Sequence, residues 1–153
     1  MPIHLVRHAH AGKRSDWDDD DRLRPLDDKG RAQAAWLTDL LGGDPIRRVV
    51  SSPHVRCVQT VTPLADALGL PVETSTRIAE GADADDAMAF LLELESDNGV
   101  ACSHGDLIPQ VLRRLKARSM AVDGALIDQK GSVWVLETAD GDVRRGRYIP
   151  PGP

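Results

Sequence analysis

The residues best suited to chemistry fall in three short blocks: Leu5-Val6-Arg7-His8-Ala9-His10, Ser51-Ser52-Pro53-His54-Val55-Arg56 and Ser103-His104-Gly105. Each follows a short β-rich run, so Arg7, His8 and His104 are expected at the carboxyl ends of strands and Arg56 near the start of the helix that follows one, all facing one crevice. The carboxyl edge is where open α/β sheets hold ligands. Two guanidiniums can grip phosphate oxygens bidentately, and N–H groups at a helix start add donors. At an effective dielectric near 20, a charge pair ~4 Å apart is worth roughly 4 kcal/mol. Two arginines can therefore stabilise the charge on a transferring phosphoryl group without a metal. The same positive field favours a neutral imidazole on His8, the form a nucleophile needs. Attack by His8 would divide a hydrolysis into two displacements, first onto the histidine and then onto water.

On residue types alone, two other chemistries stay open. His8 and His10 form an H-x-H that, with aspartates of the 16–21 run, has the composition of a metal-dependent hydrolase. That arrangement would leave Arg7 and Arg56 beside a cation. A catalytically silent phosphate-binding module is the other, but binding alone does not need His8. His10 alternates with His8 and is expected either to line the same pocket or to lie at the surface, and His54 has no assigned role. Cys57 and Cys102 are expected as reduced packing residues on a helix and a buried strand, since neither stands in a CxxC or metal-like spacing.

Positioning these blocks requires strands and helices in alternation. Runs 2–7, 47–51 and 99–103 read as strands, each followed by a turn and a helical pattern, which predicts an α/β layer fold with a mostly parallel sheet. A helix is expected over 29–41 from Ala32, Trp36 and Leu40 with Leu37 and Leu41, stopped by Gly42-Gly43. A second fits 54–68 through Val55, Val58, Thr62, Ala65 and Leu68, with a bend or break at Pro63. Residues 84–95 predict a third, through Met88, Leu91, Leu92 and Glu95. Residues 107–116 predict a fourth, with Ile108, Val111, Leu112 and Leu115 inward and Pro109 in its first turn. SVWVLET, the Asp140-Gly141 turn and the run to Ile149 predict a hairpin. Segment 13–31 carries six Lys/Arg against seven Asp and is expected as a solvated loop or a flap over the site. The tail from Pro150 is expected to be extended and loose.

The 153 residues suit a single domain spanning 1–153, with ordinary hydrophobic (41%) and charged (28%) shares. One Phe, one Tyr and a net charge of -5 argue against nucleic acid as a partner. No stretch approaches the ~20 apolar residues of a membrane span, and the start lacks a signal-like charge pattern, so a cytoplasmic protein is expected.

Leu5-Val6-Arg7-His8, the run Ser51-Ser52-Pro53-His54-Val55-Arg56-Cys57-Val58-Gln59-Thr60 and Ser103-His104-Gly105 together resemble the histidine phosphatase (phosphoglycerate mutase-like) superfamily. Arg24-Pro25-Leu26 with Gly30 and Gln33 resembles its small SixA-like branch. The resemblance implies a three-layer α/β/α sandwich, His8 as the phosphorylated residue, Arg7, Arg56 and His104 as the phosphate pocket, and no metal or other cofactor. It also implies a phosphorylated substrate: a phosphohistidine protein, or else a nucleotide or sugar phosphate. Glu80, in Arg77-Ile78-Ala79-Glu80-Gly81, sits where the family often keeps its proton donor, although members of the SixA-like branch can lack one. Ala9 replaces the usual glycine and requires a backbone there without positive φ. Gly12–Ser15, Arg22–Leu26 and Lys130–Trp134 also resemble the phosphatase domain of some actinobacterial MutT-type proteins. The Nudix half of those proteins has no counterpart in these residues, so only the phosphatase part would carry over.

Overall fold

The computed structural model describes residues 1–152. Strand β1 (Ile3–Arg7) is apolar on both faces, with Ile3 and Leu5 on one side and Val6 on the other. A strand of this kind belongs in the middle of a sheet covered by helices. The remaining strands are β2 (Val49–Ser51), β3 (Val72–Thr74), β4 (Val100–Ser103), β5 (Ala121–Val122), β6 (Val133–Ala139) and β7 (Asp142–Ile149). They form one sheet in the order β3-β2-β4-β1-β6-β7-β5. The run from β3 to β1 is parallel throughout. Beyond β1 the expected hairpin, β6 and β7, continues the sheet antiparallel, turning at Asp140 and Gly141, both at positive φ. Arg7 pairs with Ser103, and Ser51 with Cys102. Three strand ends are thereby brought level on one edge.

Helices α1 (Asp28–Leu41) and α2 (Val55–Leu68) cover one face, packing Leu37, Leu41, Val61 and Leu64 on Val6, Val49, Val100 and Val133. Helices α3 (Ala84–Leu92) and α4 (Ile108–Ala117) cover the other, packing Leu91, Val111 and Leu112 on Ile3, Leu5, Ala101 and Leu136. The fold is the expected three-layer α/β/α sandwich. Truncating one of these leucines to alanine would cost about 2–5 kcal/mol.

The structure corrects several local expectations. Pro63 does not interrupt α2. An interior proline costs about 3 kcal/mol, and here it is offset by burial of Val61, Leu64 and Ala65 on either side of it. The inward stripe of α1 is Gly30, Gln33, Ala34, Leu37 and Leu41, while Ala32 and Leu40 are exposed. That of α2 includes Arg56, Cys57 and Thr60. In both helices polar residues facing the site shift the phase away from the apolar pattern. Helix α3 stops at Leu92, and Asn98, at φ 51, turns the chain into β4. Strands β3 and β5 are short edge strands with too few residues to show alternation. The tail is not loose at Gly152, where an added Cβ would lie 2.3 Å from the Trp36 ring.

Candidate active site

The end of β1 is pinned from both sides. His8 N donates to Ser103 O at 3.0 Å, Arg7 N to Ser132 O at 3.1 Å, and Gly131 N to the carbonyls of Arg7 and His8 at 3.2 and 3.1 Å. Within this frame His8 Nδ1 lies 2.9 Å from the carbonyl of Ala9. A carbonyl only accepts, so Nδ1 carries the proton and Nε2 presents its lone pair. Burial lowers the His8 pKa to about 3; the Ala9 hydrogen bond opposes this, and positive charge at His104, Arg56 and Arg7 reinforces it. Ala9 does not take a positive φ, and its methyl packs with Ala11, Leu26 and Ala34 under α1, away from the pocket.

Arg56 enters from the first turn of α2 and is 1% exposed. Its guanidinium donates to Asp21 O at 2.9 Å and lies 3.1 Å from the Asp21 carboxylate. The Arg7 guanidinium rests on Gly105, where a Cβ would fall 2.6 Å from Cζ. It also donates to Asp128 O at 2.7 Å. The Nε atoms of both arginines are buried with no hydrogen-bond partner among the described residues. Buried donors are nearly always satisfied, so these two orphaned guanidinium N–H groups leave unmet hydrogen-bonding capacity beside the pocket that both arginines line. The His104 ring lies 5.5 Å from that of His8, with Nε2 held by Ser52 Oγ at 2.8 Å. The four residues of the expected cradle therefore line one pocket of about 530 Å³.

Glu80 reaches the same pocket from the loop before α3. It accepts from Arg14 at 2.8 Å and lies 3.6 Å from Arg56 and 3.7 Å from His54 Nε2. Burial pushes its pKa up, but the Arg14 hydrogen bond and the charges of Arg14, His104 and Arg56 outweigh it and hold the carboxyl below its ordinary range. His10 lines the pocket, and its Nδ1 bonds to Asp27, the residue that caps α1 by accepting from Gly30 N at 2.8 Å. Segment 13–31 is more than a solvated loop, since Asp21 grips Arg56, and Arg24, 7% exposed, donates to Ala11 O at 2.6 Å. Asp21, His54 and Glu80 place ligand-type atoms within 4.8 Å of one another, but Arg14 and Arg56 already neutralise the two carboxylates. This grouping differs from the H-x-H set. Cys57 and Cys102 are buried free thiols, with Cys57 Sγ 3.5 Å from His104 Nε2 beneath the site.

Several positioning residues had no role assigned from sequence. Thr60 Oγ1 accepts from Ala9 N at 2.9 Å and donates to Arg56 O at 2.7 Å, tying the loop after His8 to the helix that carries Arg56. Gln59 takes Leu26 N at 2.8 Å, and Gln33 takes His10 N at 2.9 Å. A Cβ on Gly30 would lie 1.9 Å from His10 O, so only glycine lets α1 approach this closely. For Gln33 and Thr60 the available signal was a polar residue at a helix position that the fold buries. Asp21 and Ser52, whose partners are distant in sequence, gave none.

The profile of the histidine phosphatase superfamily (branch 1) matches residues 3–86. The chain belongs to this superfamily. Histidine phosphatases are enzymes that remove phosphoryl groups, and this chain is 36% identical over 152 residues to an 8-oxo-(d)GTP phosphatase of Mycolicibacterium smegmatis. That match covers 96% of the chain but 47% of the relative, so the chain spans about half its length. A structure of the protein histidine phosphatase SixA with tungstate superposes with a TM-score of 0.72 at 23% identity, covering 97% of this chain and 94% of that one. A mycobacterial glucosyl-3-phosphoglycerate phosphatase gives 0.67 at 18% identity, with 96% of each chain covered. These two likenesses are likenesses of fold. No helix among the described residues is long and apolar enough to cross a membrane.

Proposed function

We propose that this phosphatase works through a phosphohistidine on His8, with Arg7, Arg56 and His104 holding the phosphoryl oxygens and residues 1–153 acting as one catalytic domain. The observation that carries the reading is a buried His8 kept neutral, Nε2 outward, beside two guanidiniums with unsatisfied Nε–H groups. In the first displacement the Nε2 lone pair forms the N–P bond as the bond to the leaving group breaks. In the second, water attacks phosphorus and His8 leaves with its electron pair. The cradle serves both transition states, because the charge on the equatorial oxygens is similar in each. No step in this sequence calls on a metal.

Glu80 enters as the proton source for substrates that need one. At rest it is ionised, and a dianion arriving at Arg56 would weaken the field that keeps it so. A phosphohistidine protein, as in the SixA-like reading, asks little of it, since a protonated imidazole departs neutral. Hydrolysis of p-nitrophenyl phosphate in excess chelator, by the wild type and by His8→Ala, tests the proposal. The expected result is full wild-type activity, loss of at least about a thousandfold in the variant, and retained vanadate binding by the variant. Activity that vanishes with chelator and returns with zinc or manganese would sink it.

A further inference from the structure

The pocket holds more positive charge than one phosphoryl group requires. Arg7 and Arg56 have the protein oxygens already described as partners, and Arg24 and Arg14 are engaged with Asp21 and Glu80. Lys130 and Lys13 line the same pocket but make no ion pair or side-chain hydrogen bond among the described residues. Lys130 is half-buried, and its placement is not incidental. The turn that carries it is fastened to the nucleophile's strand by Arg7 N to Ser132 O and by Gly131 N to Arg7 O and His8 O. Gly131 sits at φ +81 against the Gln33 side chain, a position that admits only glycine. Burial and the nearby charges of Arg7 and Arg24 oppose the ammonium form of Lys130, and Asp27 favours it more weakly. A lysine held rigidly among cations without a partner is a site awaiting an anion.

The leaving-group chemistry agrees. The two carboxyls beside Arg56, Glu80 and Asp21, are both held ionised, which suits a leaving group that departs as an anion and needs no proton. A phosphate leaving from a phosphoanhydride is such a group, its second pKa being about 6.

We propose that Lys130, with Lys13 beyond it, forms a subsite for a second phosphate, so that the pocket takes the diphosphate end of a phosphoanhydride substrate. This deepens the proposed function and rests on it. His8 Nε2 forms a bond to the terminal phosphorus, the bridging P–O bond breaks, and its electron pair stays on the departing phosphate beside Lys130. Water then cleaves the phosphohistidine to release inorganic phosphate. Of phosphoanhydrides, a nucleoside diphosphate and inorganic pyrophosphate share this chemistry, and the assay separates them.

The experiment measures kcat/KM for GDP, GMP, pyrophosphate and p-nitrophenyl phosphate with the wild type, Lys130→Met, Lys130→Arg and Lys13→Met. The wild type is expected to prefer GDP to GMP by at least tenfold. Lys130→Met should erase most of that preference by raising KM for GDP, Lys130→Arg should retain it, and Lys13→Met should reduce it less. Pyrophosphate turnover equal to GDP turnover would assign the subsite to the diphosphate alone; weaker turnover would add a nucleoside contact. Either supports the subsite. Equal wild-type activity on GDP and GMP, or a Lys130→Met loss that is the same on GDP and p-nitrophenyl phosphate, would overturn it. A wild type inactive on all four substrates would instead refute the His8 mechanism beneath it.

Discussion

The cradle and its rim are built on opposite principles. Arg7, His8, Arg56 and His104 come from the ends of three paired strands and the helix that follows one of them, and their main chains are bonded to one another or to buried neighbours. The rim comes from the 13–31 segment, the Glu80 loop and the turn at Lys130, and apart from Lys13 and Lys130 its charges meet in ion pairs that are partly exposed, such as Arg14 with Glu80 and Asp21. Solvent-exposed pairs contribute little to stability, typically below about 1 kcal/mol. What the rim contributes is a charge pattern, and that pattern can change without unsettling the sheet edge to which the chemistry is assigned. Bond making is assigned to the rigid part and substrate choice to the adaptable part.

The sharpest break in that division is expected at Arg7. Arg7→Lys keeps the charge but loses the planar fork and the orphaned Nε–H, a loss of about 2 kcal/mol in the transition state. Turnover of p-nitrophenyl phosphate should fall roughly thirtyfold, with thermal stability nearly unchanged. A wild-type rate would mean that a point charge suffices and that the cradle is not a geometric device.

A second test asks whether the cradle's burial has the electrostatic consequence assigned to it. His8 has a folded pKa of about 3, below the unfolded value near 6.5, so the unfolded chain takes the proton first. Stability is therefore lost as pH falls from about 6.5 toward 3. The His8 share between pH 7 and 5 comes to about 2 kcal/mol. His4 and His54, also lowered chiefly by burial, act in the same direction. Denaturant unfolding of the wild type and His8→Gln at the two pH values should show the variant losing less by about that amount. Parallel pH dependences would place the proton elsewhere.

The two regions also differed in how far they could be read from sequence. The cradle was legible because Arg7, His8 and His104 end or directly follow runs with a strand signal and Arg56 opens the helix after another, so all four fall at one edge of a parallel sheet. Strand ends announce themselves locally; the rim does not. Asp21 reaches Arg56 across the 13–31 segment, and no periodicity links a loop aspartate to a helix arginine far along the chain. The helix phases were misread for a related reason. Gln33 and Thr60 face inward to hold loops, and Arg56 to line the pocket, so the buried faces of α1 and α2 are less apolar than a simple apolar stripe. Helix α4 contributes no residue to the pocket lining, and there Ile108, Val111, Leu112 and Leu115 came out as expected.

The smallest effect on the aryl ester is expected on the rim at Glu80. Glu80→Gln should change p-nitrophenyl phosphate turnover by less than about threefold, because nitrophenolate leaves without a proton, whereas alkyl phosphates should slow by roughly a hundredfold or more. Equal small losses on both classes would make Glu80 a partner for Arg14 and nothing further. A large loss on the aryl ester would move Glu80 into the cradle.

The central claim is that His8 itself carries the phosphoryl group between the two displacements. Rapid alkaline quenching of the wild type during turnover of a labelled phosphate ester, followed by peptide mapping, tests it directly. The account predicts an acid-labile, base-stable phosphoryl group on His8 that forms and decays at rates sufficient for turnover and is absent from His8→Ala. Label on Ser52, Ser103, Cys57 or His104 instead, or an active enzyme that never acquires label, would contradict it.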